Sequence, residues 1–448
     1  MNPHREVTPL VLVTALVVLV TALVLLAPAQ AATIKTVALQ NQPSPRPSLV
    51  YKKFERPAVS DAPGERVAVW ARVPGTQCIF GIDPDTDAGS TGACERDPTP
   101  DGHRFGPLGK DPSINLTSTV AWSASVTTGR SGVFRSGPAI VSRLGDPVPA
   151  PGTGLLKSFS FARITNAGDV FFAATISGGA VVAGVEVNQG LFRCSGGDGN
   201  CSASAGGSGT LTTVALVDDP VPDRPGRRFC RFLDLVTRDF GIAFRAVTQL
   251  DCANGAEAPA TGVFLKPLTG TIATVALQGE ACEPNPVAGG TVYQFFPASP
   301  GLSNLGVVAF EATTTGLFTG TALYLCDPAN GCPPAVSAIA VAQGDSDGAG
   351  RTFFSFSAPA LSDARDIGFS ANAMGSTGGL RHALYIRRST GNIETIAGPG
   401  DPVPGSSPPA VFLSLGAPSM SPGGKLAFGG RIARDATPRR LYGLFVFE

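Results

Sequence analysis

Apolar and polar positions alternate along this chain in short runs closed by Gly, Pro, Asn, Asp or Ser, a pattern that predicts many brief β-strands joined by turns. The runs are of four kinds. The first is "TIKTVAL" at Thr33, "TLTTVAL" at Thr210 and "TIATVAL" at Thr271, with looser copies "AIAVAQG" at Ala338 and "IETIAGPG" at Ile393. An Asp-Pro or similar turn follows, and then a Phe-rich run such as "FFSFSAPALS" (Phe353 to Ser362) or "VFLSLGAPSMS" (Val411 to Ser421). A small polar residue and a short turn lead into an apolar strand: "NLTSTVAW", "TNAGDVFF", "SNLGVVAF", "SPGGKLAF". A short run closes the unit: "GVFR" (Gly132), "GLFR" (Gly190), "GVFL" (Gly262), "ALYL" (Ala322), "ALYI" (Ala383) and "GLFV" (Gly443).

Counting by the "VAF" strand gives seven units of about 60 residues, including "ERVAVW" at Glu65 and the divergent "FGIAFRA" at Phe240. Four strands repeated seven times predict an all-β fold, a seven-bladed β-propeller of four-stranded antiparallel blades. One blade alone cannot bury both sheet faces; stacked around a ring, each covers its neighbours. We letter the strands a (Phe-rich), b ("VAF"), c ("GLF") and d ("TVAL"). The chain opens on a d-type strand and ends on a c-type strand. The expected closure pairs the N-terminal strand with the last blade, which leaves no exposed inner edge.

Composition fits this reading: Gly 55, Pro 39 and Phe 26 of 448 residues, with 15% charged. Thirty-four basic and 34 acidic residues cancel and no like-charged block stands out, so the chain has no electrostatic footprint for nucleic acid or an anionic membrane. Residues 1–31 contain an apolar run, Leu10 to Ala27, followed by Ala29-Gln30-Ala31. They are expected to be a signal peptide, with retention as an N-terminal anchor the alternative, ahead of a single propeller domain at 32–448. The expected location is secreted, periplasmic or cell-surface. Nine cysteines in an exported chain imply disulfides. The spacing pairs Cys78 with Cys94, Cys194 with Cys201 and Cys326 with Cys332. Cys230 with Cys252 is the preferred fourth bridge, because the start of strand a and the end of strand b meet on one face; Cys252 with Cys282 is the runner-up.

The repeats "NLTSTVAW", "SNLGVVAF" and "PSMSPGGKLAF", alternating with Gly-Asp-Pro-x-Pro, resemble the exported bacterial tandem-repeat "NxxGxxAF" proteins, many of which carry assorted surface anchors, and also the blades of TolB-like propellers. The resemblance implies fold and an extracytoplasmic location, and it carries no activity. A C-terminal anchor of that kind is not recognisable here.

In a propeller the d-to-a and b-to-c connections share one face. The turns there carry Asp97, Asp146, Asp219, Glu280, Asp345 and Asp401, with Gln42 in the seventh slot; they are expected near the central channel, where they would form an acidic ligand face together with His103 of "PDGHRF". The competing account is that each Asp bonds its own turn and each Pro fixes the bend. "DPDTDAG" offers Asp83, Asp85 and Asp87 as a weak calcium site, the only cofactor suggested. HExxH, GxSxG, Walker and dinucleotide patterns are absent from the sequence. The function expected is therefore a monomeric, non-enzymatic binding or scaffold protein for a protein or glycan. The alternative is a propeller lyase or hydrolase using His103 with Asp97 or Asp146.

Overall fold

The computed structural model describes residues 33–448 except 62–66, 87, 138, 183–184, 197–198, 253–257, 281–290, 317, 328–337 and 435–439. Its main strands form seven antiparallel sheets, each running a-b-c-d as lettered above. The third is the most regular: Leu155–Ile164, Val170–Ser177, Gln189–Ser195 and Thr210–Leu216. In the seventh, Ile34–Leu39 supplies strand d and pairs antiparallel with Arg440–Phe447, from Ile34 opposite Phe447 to Leu39 opposite Gly443. The first strand of the chain thus closes the ring, as its repeat type requires.

Buried apolar residues divide into seven clusters, one at each blade-to-blade interface. The high Phe content has a local cause. In most blades an aromatic at the start of strand a meets the strand c ring edge-on, as in Phe229–Phe264 (4.9 Å, 80°) and Phe412–Phe445 (4.9 Å, 73°), while the strand b ring stacks on it, as in Phe244–Phe264 (5.4 Å, 26°). The Gly of "GLF" makes room for this: a Cβ on Gly190, Gly262 or Gly443 would lie 2.4–2.7 Å from the Phe ring two residues on.

Strand a has two parts in most blades, for example Phe105–Leu108 then Ser113–Ile114, and Ala410–Leu415 then Ser419–Met420. The first part leans outward on strand c of the preceding blade. The second parts touch one another in sequence around the whole ring. The central opening is therefore tightest on the a-to-b side and widens toward the d-to-a side.

Disulfides join Cys78 to Cys94, Cys194 to Cys201 and Cys230 to Cys252. The last is the bridge preferred from the sequence. Cys326 is also disulfide-bonded; Cys332 and Cys282 lie outside the described residues, as does the expected signal segment. These bridges suit an oxidising compartment outside the cytoplasm. Among the described residues no helix is long and apolar enough to cross a membrane.

Candidate functional site

The d-to-a turns are built alike in all seven blades. The acidic residue donates its N–H to the carbonyl three residues back: Asp97 to Cys94, Asp146 to Arg143, Asp219 to Leu216, Glu280 to Leu277, Asp345 to Ala342, Asp401 to Gly398, and Gln42 to Leu39. In six of the turns its side chain then accepts the N–H of that same residue, at 2.6–2.8 Å, Glu280 being the exception. The preceding residue has positive φ every time: Asn41, Arg96, Gly145, Asp218, Gly279, Gly344 and Gly400. This left-handed position is why Gly precedes the acidic residue in four of the seven copies. The Val of "DPVP" turns inward, so Val148, Val221 and Val403 are buried.

In four of the turns the acid has further partners, mostly in neighbouring blades. Arg46 reaches Asp97 (2.8 Å), Arg224 pairs with Glu280, Arg381 pairs with Asp401 (2.8 Å), and Asp146 accepts the hydroxyls of Ser142 and Ser202. Burial pushes the Asp219 carboxyl above its usual range. None of the seven turn residues lines the axial cavity; each turn follows the outer strand directly and is pinned by its own backbone bonds. His103 is part-exposed and also outside that cavity; it interacts electrostatically with Asp101, which is engaged by Arg143 and Thr99. For the calcium loop, Asp83 accepts the Asp85 N–H, Asp85 pairs with Lys35 across the closing strand, and Asp87 lies outside the described residues. Among the described residues no group of three His, Cys, Asp or Glu side chains is placed to hold a metal ion.

The axial cavity, about 90 Å³, is lined by strand a residues of all seven blades. Register aligns these positions. At the innermost level stand Ala58, Ser113, Arg163, Val236, Gly301, Ala360 and Ser419, each paired with the equivalent strand b residue. Two residues further along are Ser60, Asn115, Thr165, Arg238, Ser303, Ser362 and Ser421. The side-chain oxygens of Asn115, Thr165, Ser303, Ser362 and Ser421 each accept the amide four residues on, which shapes the a-to-b turn. The fourth blade departs: Arg238 sends its guanidinium across the opening to the Met420 carbonyl of the seventh. Burial lowers the proton affinity of Arg238, and the Asp363, Asp61 and Asp239 carboxylates oppose this.

Around this narrow end the blades are tied by a belt of hydrogen bonds. Leu116 N–H donates to Asn166 Oδ1 (3.0 Å), Asn166 to both oxygens of Asp239 (2.8 and 2.7 Å), and Asp239 N–H to Asn304 Oδ1 (3.0 Å). Asn304 donates to both oxygens of Asp363 (2.7 and 3.0 Å), Asp363 N–H to the Pro422 carbonyl (2.8 Å), and Gly423 N–H to Asp61. Six of the seven interfaces are joined in this way. Deeper in the cavity Arg163 pairs with Asp111 and also donates to the Asp111 carbonyl (2.9 Å). Burial alone would raise Asp111, but the guanidiniums of Arg163 and Arg56 hold it below the usual carboxylate range. Arg56 forms no hydrogen bond with any described residue.

Sequence reasoning missed this site. A signal was available in the inner strand: "RPAVS", "DPSIN", "SPGLS", "APALS" and "APSMS" share a Pro, a small residue, an aliphatic and a short polar side chain in five blades.

The chain belongs to a family of unknown function, DUF7453, whose model matches residues 95–446. No curated protein matches it in sequence. Among solved structures it is similar to the β-propeller domain of the Trilobed protease from Pyrococcus furiosus (10% identity, 89% of this chain and 93% of that one, TM-score 0.46). It is also similar to oligogalacturonate lyase from Vibrio parahaemolyticus (8%, 93% and 96%, TM-score 0.45) and TolB from Acinetobacter baumannii (13%, 69% and 64%, TM-score 0.34).

Proposed function

We propose that this member of the DUF7453 family is an exported binding propeller without catalytic activity, and that its ligand enters from the side of the Asp-Pro turns into the wide end of the axial opening. One observation carries the reading. Five of the acids on the turn face cap their own turns, whereas charged side chains that depart from the repeat, Arg163 and Arg238, line the axial cavity. A binding site breaks the symmetry of its scaffold, and here the break lies on the axis. The enzymatic alternative needs a His and two carboxylates converging in a pocket, and the carboxylate that His103 acts on, Asp101, is already bonded to Arg143. The partner is a protein or glycan large enough to rest on the turn loops.

The test is a screen of the secreted chain against glycans and secreted proteins, followed by mass analysis of everything retained. Ligands recovered intact are expected. Recovery of a cleaved or eliminated product would overturn the non-catalytic reading.

A further inference from the structure

We propose that the axial cavity is a receptor for a carboxylate, with Arg56 as its principal donor and Arg163 beside it. This deepens the binding reading above and rests on it. The argument starts from which charges remain uncommitted. Asp111 is engaged by Arg163, and both oxygens of Asp239 and Asp363 accept bonds from the inter-blade belt. Arg238 lines both the main cavity and a small recess on the a-to-b side shared with Asp61 and Asp239, so it stands between the cavity and those acids. A cation entering from the wide end would find no unpaired carboxylate before meeting a guanidinium. An anion would find Arg56, which has no hydrogen-bond partner among the described residues.

Two more polar atoms on the cavity wall are buried without a partner among the described residues: Arg238 Nε, a donor, and Ser419 Oγ. Orphaned buried groups of this kind are costly unless something meets them. Their distribution is lopsided. Arg56, Asp111, Arg163 and Arg238 come from the first four blades, while the fifth to seventh contribute Ser299, Pro300, Gly301, Leu302, Pro359, Ala360, Leu361, Ser419 and Met420. The cavity thus has one cationic wall and one small, mostly apolar wall. A guanidinium presents paired N–H donors at the spacing of carboxylate oxygens, so the part of the ligand that enters the cavity is a carboxylate held on Arg56, with the neutral remainder running along the smooth wall toward the turn loops. The volume of about 90 Å³ admits the acid group of such a ligand and excludes a folded partner.

Titration calorimetry of the secreted chain with glucuronate, and with glucose as the neutral control, tests this. Glucuronate should bind and glucose should not. Arg56→Ala should weaken glucuronate about 10- to 100-fold, the loss of a charged hydrogen-bonding pair, and Arg56→Lys should restore only part of it. Lys110→Ala, which changes an exposed lysine outside the cavity, should leave affinity unchanged and controls for net charge. Unchanged melting of Arg56→Ala confirms that the variant is folded. Equal affinity in wild type and Arg56→Ala, binding of sulfate as tight as that of glucuronate, or no binding of glucuronate would each overturn the inference. If glucuronate fails but a neutral glycan or a protein is retained intact, the carboxylate assignment falls and the binding reading stands. If retained compounds are recovered as cleaved products, the binding reading itself falls.

Discussion

The outer and inner ends of one connection behave differently in this propeller. Leaving strand d, the chain makes the same turn seven times, with the same carbonyl contact and the same left-handed residue. A few residues later, at the inner end of strand a, equivalent positions hold Ala, Ser, Arg, Val or Gly, and an Arg replaces a short polar cap in one blade. Conserved geometry at the first place marks what every blade needs to bend and pack. Departure from it at the second marks what the ring as a whole can do.

Deleting Thr33 to Leu39 should be the severest way to break the contrast, because both ends depend on a closed ring. It removes the strand that buries Val37, Ala38 and Leu39, worth about 5 kcal/mol of apolar burial and, at this size, a fall in melting temperature of roughly 5 °C or more. Melting at the wild-type temperature would refute ring closure.

Smaller effects separate the two ends. Asp146 is buried, caps the Arg143 N–H at 2.8 Å and accepts the hydroxyls of Ser142 and Ser202. Asp146→Ala should cost about 3 kcal/mol in denaturant unfolding, whereas Asp401→Ala, at a more exposed turn, should cost about 1 kcal/mol. Neither should alter glucuronate affinity beyond about twofold. A larger change in affinity would return the turn acids to the site.

A third variant asks whether every departure from the repeat is functional. Glu311 is buried in strand b of the fifth blade, where the second, third, sixth and seventh blades carry Ser123, Ala173, Ser370 and Gly429. Burial pushes its carboxyl up to about 7, with Arg245 opposing the shift. Between the ordinary value near 4.5 and about 7 the folded chain binds a proton that the unfolded chain has released. Glu311 therefore makes stability fall with rising pH across that window, by up to about 3 kcal/mol. Glu311→Gln should flatten the fall and be the more stable form at pH 8, with ligand affinity unchanged. A pH profile identical to wild type would show that Glu311 is not the titrating group.

The ring was legible because its signals repeat: the "TVAL", "VAF" and "GLF" runs gave blade number, strand order, closure and the Cys230–Cys252 bridge. The turn acids were legible as positions, but a strand order alone does not say how each is engaged, as in the bond from the Leu216 amide to Asp219. Arg56, Asp111, Arg163 and Arg238 belong to no motif. They become a group only when the register of strand a against strand b sets them on one axis.

The strand Ile34–Leu39 lies at the beginning of the propeller sequence, and its partner, Arg440–Phe447, lies at the very end of the chain. During synthesis it must wait, apolar and unpaired, until the rest of the domain exists. Six blades can assemble from neighbours in sequence, but the seventh demands a contact across the whole domain, so ring closure is expected to come late in folding. Until it happens, the same strand is an open invitation to the unfinished last blade of another copy, and crowded, incomplete chains are where exchanged dimers should first appear.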